Sequence, residues 1–242
     1  MKDVFTLITG GTTGIGYETA SLLIREGKQV IITGQNSERV NSAARELGCK
    51  GIVADSANLS SIDQLVSALQ ADKITLNGLV LNAGVFLPEK VEEMTDSVFD
   101  KHMNINTKGV CFTLTKLLPA MKNPSSVVFI SSIVVDRGFE ACATYAASKA
   151  AVEAFIRVAN KELAEKGIRL NTVRPGVTAT PIQSKAGMDD KGYAALMESL
   201  THLPIKRALL PSDHATAISF LLSDASLTMR NAVLQIDGGY CL

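Results

Sequence analysis

Residues 4–16 read VFTLITGGTTGIG, an apolar, β-branched run that passes without a spacer into a turn with glycines at 10, 11, 14 and 16. Glycine lets a chain turn tightly and lets backbone come close to another group. A helical pattern follows at residues 15–26 and stops at Gly27. A strand feeding a glycine turn and then a helix sets a helix N-terminus, with its free N–H groups and positive dipole end, at the strand's carboxyl end. That is a place for a phosphate, and it is also what a plain chain reversal needs. The spacing is G-x-x-x-G-x-G, not the G-x-G-x-x-G of the commoner dinucleotide fingerprint.

The same alternation continues outward. Residues 29–33, 51–54, 78–82, 126–131, 169–174 and 232–236 read as further strands, several of them almost continuously apolar, as strands covered on both faces are. Helical patterns occupy 37–47 (opened by Ser37, closed by Gly48), 60–71, 96–121, 145–166 and 211–222, with Pro119 bending or ending the long fourth one. Strand–helix alternation of this kind predicts an α/β fold: one single-domain, doubly wound, Rossmann-type sheet, mostly parallel, with helices on both faces across 1–242. Residues 177–210 break the rhythm, with only a weak helical pattern near 193–200, and read as a lid over a binding site.

Composition narrows the function classes. Among 242 residues, 24 Lys and Arg balance 24 Asp and Glu, so no overall field favours nucleic acid or an anionic membrane. No apolar run reaches the ~20 residues of a membrane span, and the N-terminus lacks the longer apolar region of a signal peptide. The four cysteines (49, 111, 142, 241) and three histidines (102, 202, 214) are scattered without metal-ligand spacing. The expectation is a cytoplasmic protein with free thiols, no metal and a small-molecule partner.

The chemistry concentrates in Tyr145-Ala-Ala-Ser-Lys149. Residues four apart on a helix share a face, and an ammonium beside a phenol lowers its pKa toward the working range of a general acid or base. Alone, such a pair is more often a solvated face. Its company changes that reading. Ser131 and Ser132 end the preceding strand, where site residues of open α/β sheets project.

Taken together, these motifs resemble the short-chain dehydrogenase/reductase family over nearly the whole chain. TGGTTGIG is similar to that family's TGxxxGxG, and Asn82-Ala83-Gly84 to its NNAG, with Leu81 in place of the first Asn. Ser132 stands thirteen residues before Tyr145, the family spacing, whereas Ser131 is out of register. Asn106, three residues before Gly109, resembles the catalytic asparagine; Pro175-Gly176 with Thr180 resembles PG-x-x-x-T, and Asp237-Gly238-Gly239 the near-terminal DGG.

The resemblance implies an oxidoreductase moving a hydride between NAD(P)(H) and a carbonyl or secondary alcohol. Tyr145 would be the general acid or base and Lys149 would depress its pKa and bond the nicotinamide ribose. Ser132 would orient the substrate oxygen, and Asn106 would hold a water linking Lys149 to solvent. Gly10, Thr12, Thr13, Gly14, Ile15 and Gly16 would hold the pyrophosphate, and Asp55 and Ser56 the adenine. Asn82, Ala83 and Gly84 would line the adenine ribose, and Pro175, Gly176, Thr178 and Thr180 would face the carboxamide. It also implies a homo-oligomer, a tetramer, for which the small residues 147, 150, 151 and 154 offer a helix face. The alternative is a non-catalytic dinucleotide-binding scaffold or redox sensor, whose mark would be loss of Tyr, Lys or Ser; all three are present.

Cofactor choice turns on Gly34 and Gln35 after the second strand. A carboxylate at Gly34 would accept bonds from the ribose 2′-OH of NAD, and an Arg at Gln35 or Thr13 would meet the 2′-phosphate of NADP. None of these is present. Neutral donors from Gln35, Asn36 and Ser37, with Arg39 nearby, favour NADP(H) over NAD(H). Val135 (a glycine in many relatives), Asp136-Arg137 and Met229-Arg230-Asn231 depart from the family pattern. Ile182, Met188, Tyr193, Leu196 and Met197 describe either an apolar pocket wall or a helix packing its own face, and Cys142 either a pocket edge or packing.

Overall fold

Each central strand buries both of its faces, which is why its sequence is apolar almost without interruption. In this computed structural model, which describes residues 4–242, the strands are β1 (Val4–Ile8), β2 (Gln29–Gly34), β3 (Lys50–Val53), β4 (Thr75–Leu81), β5 (Met121–Ile130), β6 (Ile168–Pro175) and β7 (Val233–Ile236). The first three residues of the expected 1–242 unit lie outside the described residues. All neighbouring strands pair in parallel, in the order β3-β2-β1-β4-β5-β6-β7. The expected doubly wound sheet is found.

Successive side chains point to opposite faces. Leu7, Leu79, Leu81, Val127 and Phe129 join one core with α3 (Leu59–Ala71), α5 (Val110–Leu117) and α6 (Ala143–Glu162). Their neighbours Ile8, Val80, Val128 and Ile130 join the other core, with α1 (Gly14–Arg25), α2 (Ser37–Leu47) and α9 (Pro211–Leu222). Because the strand order reverses between β1 and β4, their helices diverge to opposite faces. A crevice opens there at the carboxyl ends of the strands.

Two expectations need correction. The 96–121 helix is not continuous. It breaks into α4 (Asp96–His102), a wide π-helical stretch (Met103–Gly109), α5 and a 3₁₀ turn at Leu118–Ala120, after which Met121 enters β5 by pairing with Leu76. Contacts that periodicity does not report hold the wide turns open. Thr107 donates its hydroxyl to the Ser148 carbonyl at 3.0 Å, and Gly109 runs so close to the Ser56 carbonyl that a side chain has no room. The cap of α2 is Asn36, not Ser37: Asn36 Oδ1 accepts from Arg39 N at 2.9 Å.

Between β6 and α9, the 177–210 segment forms α7 (Ile182–Lys185) and α8 (Asp190–Ser199), the latter capped by Asp189 Oδ1 accepting from Gly192 N. Its two ends are tied to each other. Ala179 N donates to Leu209 O at 2.8 Å and Leu209 N to Val177 O at 3.1 Å. The segment therefore leaves and returns at one point of the sheet rim.

Candidate active site

The strand ends and the loops that follow them enclose one cavity of about 550 Å³. At its floor, the turn after β1 uses left-handed backbone at Gly10 (φ 64°) and Gly14 (φ 60°). Gly16 has ordinary backbone but no space: a Cβ there would stand 2.6 Å from both Gly10 O and Asn82 Nδ2. Thr13 caps α1 without a side-chain hydrogen bond, leaving first-turn N–H groups of α1 free to meet an anion.

Asn82 holds this turn. Its Nδ2 donates to Thr9 O at 2.9 Å and Gly10 O at 3.0 Å, while the backbone N–H groups of Asn82 and Ala83 donate to Thr9 Oγ1. Its amide hydrogens are thus spent on the glycine turn, although the residue also lines the cavity with Ala83 and Gly84.

The expected residues Gly10, Thr12, Thr13, Gly14, Ile15, Gly34, Gln35, Asp55, Ser56, Pro175, Gly176, Thr178 and Thr180 all border the same cavity, as do Ser132, Tyr145 and Lys149. Gly16 and Asn106 do not. Gly16 lies beneath the turn, and Asn106, fully buried, faces the loop after β4. Asn106 Oδ1 accepts from Val85 N (2.8 Å), and its Nδ2 donates to Val85 O (2.9 Å) and Ser148 Oγ (3.1 Å). The Asn106 side chain therefore has no donor left for a water; its place in the π-helical stretch bears on the backbone instead. Thr178 is likewise occupied, bonding Gly176 O at 2.9 Å and His214 Nε2 at 2.8 Å.

Tyr145 is fixed through its ring. Phe86 meets it edge-on at 5.1 Å between centroids, and buried His102 lies tilted at 5.8 Å. His102 Nε2 accepts from Leu87 N at 3.1 Å, which makes Nδ1 the protonated nitrogen, donating to Thr144 Oγ1 at 2.9 Å. Lys149, 4 % exposed, donates from Nζ to Ile130 O at 2.9 Å, and lies 5.1 Å from the Phe129 ring centre and 5.8 Å from that of Tyr145.

The expected lowering of the Tyr145 pKa is not found. Burial pushes it up to about 12; the Ser132 hydroxyl opposes the rise and Cys142 adds to it. Burial also brings Lys149 down to about 8, against the pull of Glu153. An amine bonded to a strand end and half-neutral near pH 8 is a weak partner for the phenol.

Several lining residues went unremarked in the sequence. Val85 and Phe86 follow the NAG motif, and Phe139 and Glu140 lie in the loop before α6. Lys185, at the end of α7, borders the cavity as Arg39 does, and burial together with the nearby Arg39 charge lowers its pKa. Only fold-level juxtaposition brings these two together. Of the five apolar residues singled out in the 177–210 segment, Ile182, Met188 and Leu196 border the cavity while Tyr193 and Met197 do not, and Cys142 edges it.

The chain is similar to known proteins along nearly its whole length. A family model described as enoyl-(acyl carrier protein) reductase matches residues 10–241. Cyclopentanol dehydrogenase of Comamonas testosteroni is 30% identical, covering 99% of this chain and 98% of its own. The NADP-dependent (R)-specific alcohol dehydrogenase of Lentilactobacillus kefiri is also 30% identical, with 99% and 97% covered. The crystal structure of a short-chain dehydrogenase/reductase, glucose/ribitol dehydrogenase, from Brucella melitensis superposes with a TM-score of 0.90 at 30% identity, covering 99% and 97%. With the sheet, the glycine turn and the Ser132–Tyr145–Lys149 cluster all present at one cavity, this chain belongs to the short-chain dehydrogenase/reductase family of oxidoreductases.

Proposed function

We propose that the protein is an NAD(P)(H)-dependent oxidoreductase acting on a carbonyl or secondary alcohol, with Tyr145 as general acid in reduction and general base in oxidation. One observation carries this reading: Ser132, Tyr145 and Lys149 border the same cavity as the glycine turn of residues 10–15. A nicotinamide, when bound, supplies the hydride chemistry. The chain's own part is placement and proton transfer. The α1 N-terminus and the glycine turn receive the pyrophosphate, Asp55 and Ser56 the adenine side, and Pro175 to Thr180 the nicotinamide side. Ser132 Oγ orients the substrate oxygen, and the Tyr145 phenol, neutral at working pH, holds the proton delivered to it. Lys149 steadies the phenolate left behind, by charge. Asn106 serves this set through the loop it holds and through the π-helical backbone.

NADP(H) is the favoured cofactor. Arg39 and Lys185 both border the cavity, close enough for the Arg39 charge to act on Lys185, and neither has an ion-pair partner among the described residues. Two adjacent cations without an anion suit a phosphate monoester. The relative from L. kefiri, which is NADP-dependent by name, supports the same choice. Residues 177–210 act as the lid. At the catalytic end, Phe86, Ile133, Val134, Phe139, Met188 and Leu196 make an apolar wall, which suits an uncharged ketone or alcohol.

A tetramer is proposed for the assembly. The outer face of α6 exposes Ala147, Ala154 and Val158, the last 57 % exposed, and α5 adds exposed Phe112; light scattering checks it, a monomer at micromolar concentration counting against it. The four free thiols accord with a cytoplasmic setting, and no helix among the described residues is long and apolar enough to cross a membrane.

The test of the whole reading is a panel of carbonyls and alcohols with each cofactor, following reduced-nicotinamide absorbance. Turnover that needs Tyr145 is expected. Tight dinucleotide binding with no turnover across the panel would instead mark a scaffold or redox sensor.

A further inference from the structure

Behind the Ser132–Lys149 end of the cavity, side chains from the ends of two strands meet at one carboxylate. Glu153 stands one turn beyond Lys149 on α6, with its side chain 10 % exposed. Its Oε1 accepts from Ser131 Oγ at 2.5 Å and from Arg174 Nε at 2.9 Å, and its Oε2 from Arg174 Nη2 at 2.6 Å. Arg174 turns its other arm to Asp136, in the loop after β5.

Each partner is next to a cavity residue in the chain. Ser131 precedes Ser132, Arg174 precedes Pro175, and Lys149 bonds the carbonyl of Ile130, the residue before Ser131. A bidentate Arg–carboxylate contact is planar and directional, so it locks β5, β6 and α6 in one relative placement. A buried ion pair gives little net stability over apolar packing of the same volume. Its distinct contributions are geometry and a fixed charge.

That charge acts on Lys149. The titratable and charged groups around Lys149 are Tyr145 and Glu153 on its own helix, His102 on α4, Arg174 on β6 and Asp136 in the loop after β5. Burial drives the Lys149 ammonium toward neutrality, and the Glu153 carboxylate pulls it back. Without that pull, Lys149 would lose its proton at a pH lower still than about 8, closer to neutrality.

We propose that Glu153 is a positioning residue for the reaction: through Ser131 and Arg174 it sets Ser132 and Lys149 against each other, and its negative charge keeps Lys149 in the ammonium form. This rests on the oxidoreductase reading above for its significance, but not for its test. The measurement is a lysine ¹³Cε NMR titration of the cofactor-free protein, with the Lys149 resonance assigned by its loss in Lys149→Met. In Glu153→Gln the Lys149 midpoint should move down by roughly half a unit or more, the scale of a nearby charge in partly buried surroundings. Should that variant not fold, Glu153→Met with Arg174→Met removes the same carboxylate without orphaning a buried guanidinium, and a smaller shift in the same downward direction is expected, because the lost guanidinium charge offsets part of it.

An unchanged Lys149 midpoint in a folded variant overturns the proposal, even if the melting temperature falls, because a purely structural pair would do that much. Where a substrate is in hand, the alkaline limb of kcat/KM should shift down with the midpoint. A moved midpoint beside an unmoved limb upholds the hold of Glu153 on Lys149 and faults the catalytic role given to Lys149 instead.

Discussion

Lys149 Nζ donates a 2.9 Å hydrogen bond to the carbonyl oxygen of Ile130, which holds its ammonium on the end of β5. The phenol of Tyr145 is therefore not a pre-formed phenolate. It is a half-buried acid whose pKa desolvation has raised to about 12, with a lysine nearby whose own pKa has fallen to about 8. The arrangement suits proton donation to a carbonyl, since the phenol is fully protonated at neutral pH.

Removing that hydroxyl alone should separate chemistry from binding. In Tyr145→Phe the ring keeps its contacts with Phe86 and His102. Turnover is expected to fall by roughly 10²–10⁴-fold, the usual scale for a general acid–base group, while the cofactor dissociation constant stays nearly the same. Wild-type turnover in the Phe variant would refute the mechanism.

The pH dependence follows from Lys149. An ordinary lysine keeps its charge to about pH 10, but here burial brings the pKa to about 8. The ammonium is present below that value and lost above it. For carbonyl reduction, kcat/KM should be level below about pH 8 and decline beyond it. Lys149→Met should remove both the limb and most of the rate. A plateau extending to pH 10 in the wild type would show that the charge of Lys149 is not required.

Cofactor discrimination is tested at the two neighbouring cations. Arg39→Ala and Lys185→Ala should each weaken NADP(H) binding by roughly tenfold, as expected on losing a hydrogen bond to a charged group, and leave NAD(H) nearly unaffected. Gln35→Arg should move the ratio the other way. Gly34→Asp is a poor probe by itself, because a Cβ there would stand 3.0 Å from Thr12 Cγ2 and 3.1 Å from Val40 Cγ2; it belongs in a Thr12→Ser background. Dissociation constants at one ionic strength decide the matter, since exposed charges are screened by salt. If neither alanine variant changes the NADP/NAD ratio, these cations do not meet the 2′-phosphate.

A second titration concerns stability. His214 is fully buried, and burial lowers its pKa from 6.5 to about 4. Between those values the unfolded chain binds the proton and the folded protein does not, so stability falls as the pH drops from 6.5 toward 4. The loss from this one group approaches about 3 kcal/mol below both values. Urea unfolding of wild type and His214→Gln at pH 7 and pH 4.5 should show a flatter acid dependence in the variant. Equal slopes would mean that other groups carry the acid limb.

Much of this molecule is written in local pattern. Apolar runs such as VFTLI and GLVL mark strands buried on both faces, because neighbouring residues on a strand face opposite cores. The α2 helix runs over Ser37–Leu47 as expected, since Gly48 takes the left-handed cap its position calls for. The glycine turn and the Tyr145/Lys149 spacing are likewise short-range, and both reach the cavity in the register their positions imply.

What local pattern does not carry is which distant residues meet, and how dry their meeting place is. The 96–121 periodicity is continuous in sequence, yet hydrogen bonds to Ser148 and the close approach of Ser56 open it into π-helical turns. Asn106 sits where the family motif puts it, but its amide is taken up by Val85 and Ser148. Lys185 comes near Arg39, and Glu153 grips Arg174, only because the return of the 177–210 segment and the sheet order bring them together. The direction of the Tyr145 shift was decided the same way. A helix-face pair on its own predicts a lowered pKa, because spacing encodes the charge four residues away. Desolvation depends on everything packed around the phenol, and that exists only in the folded protein.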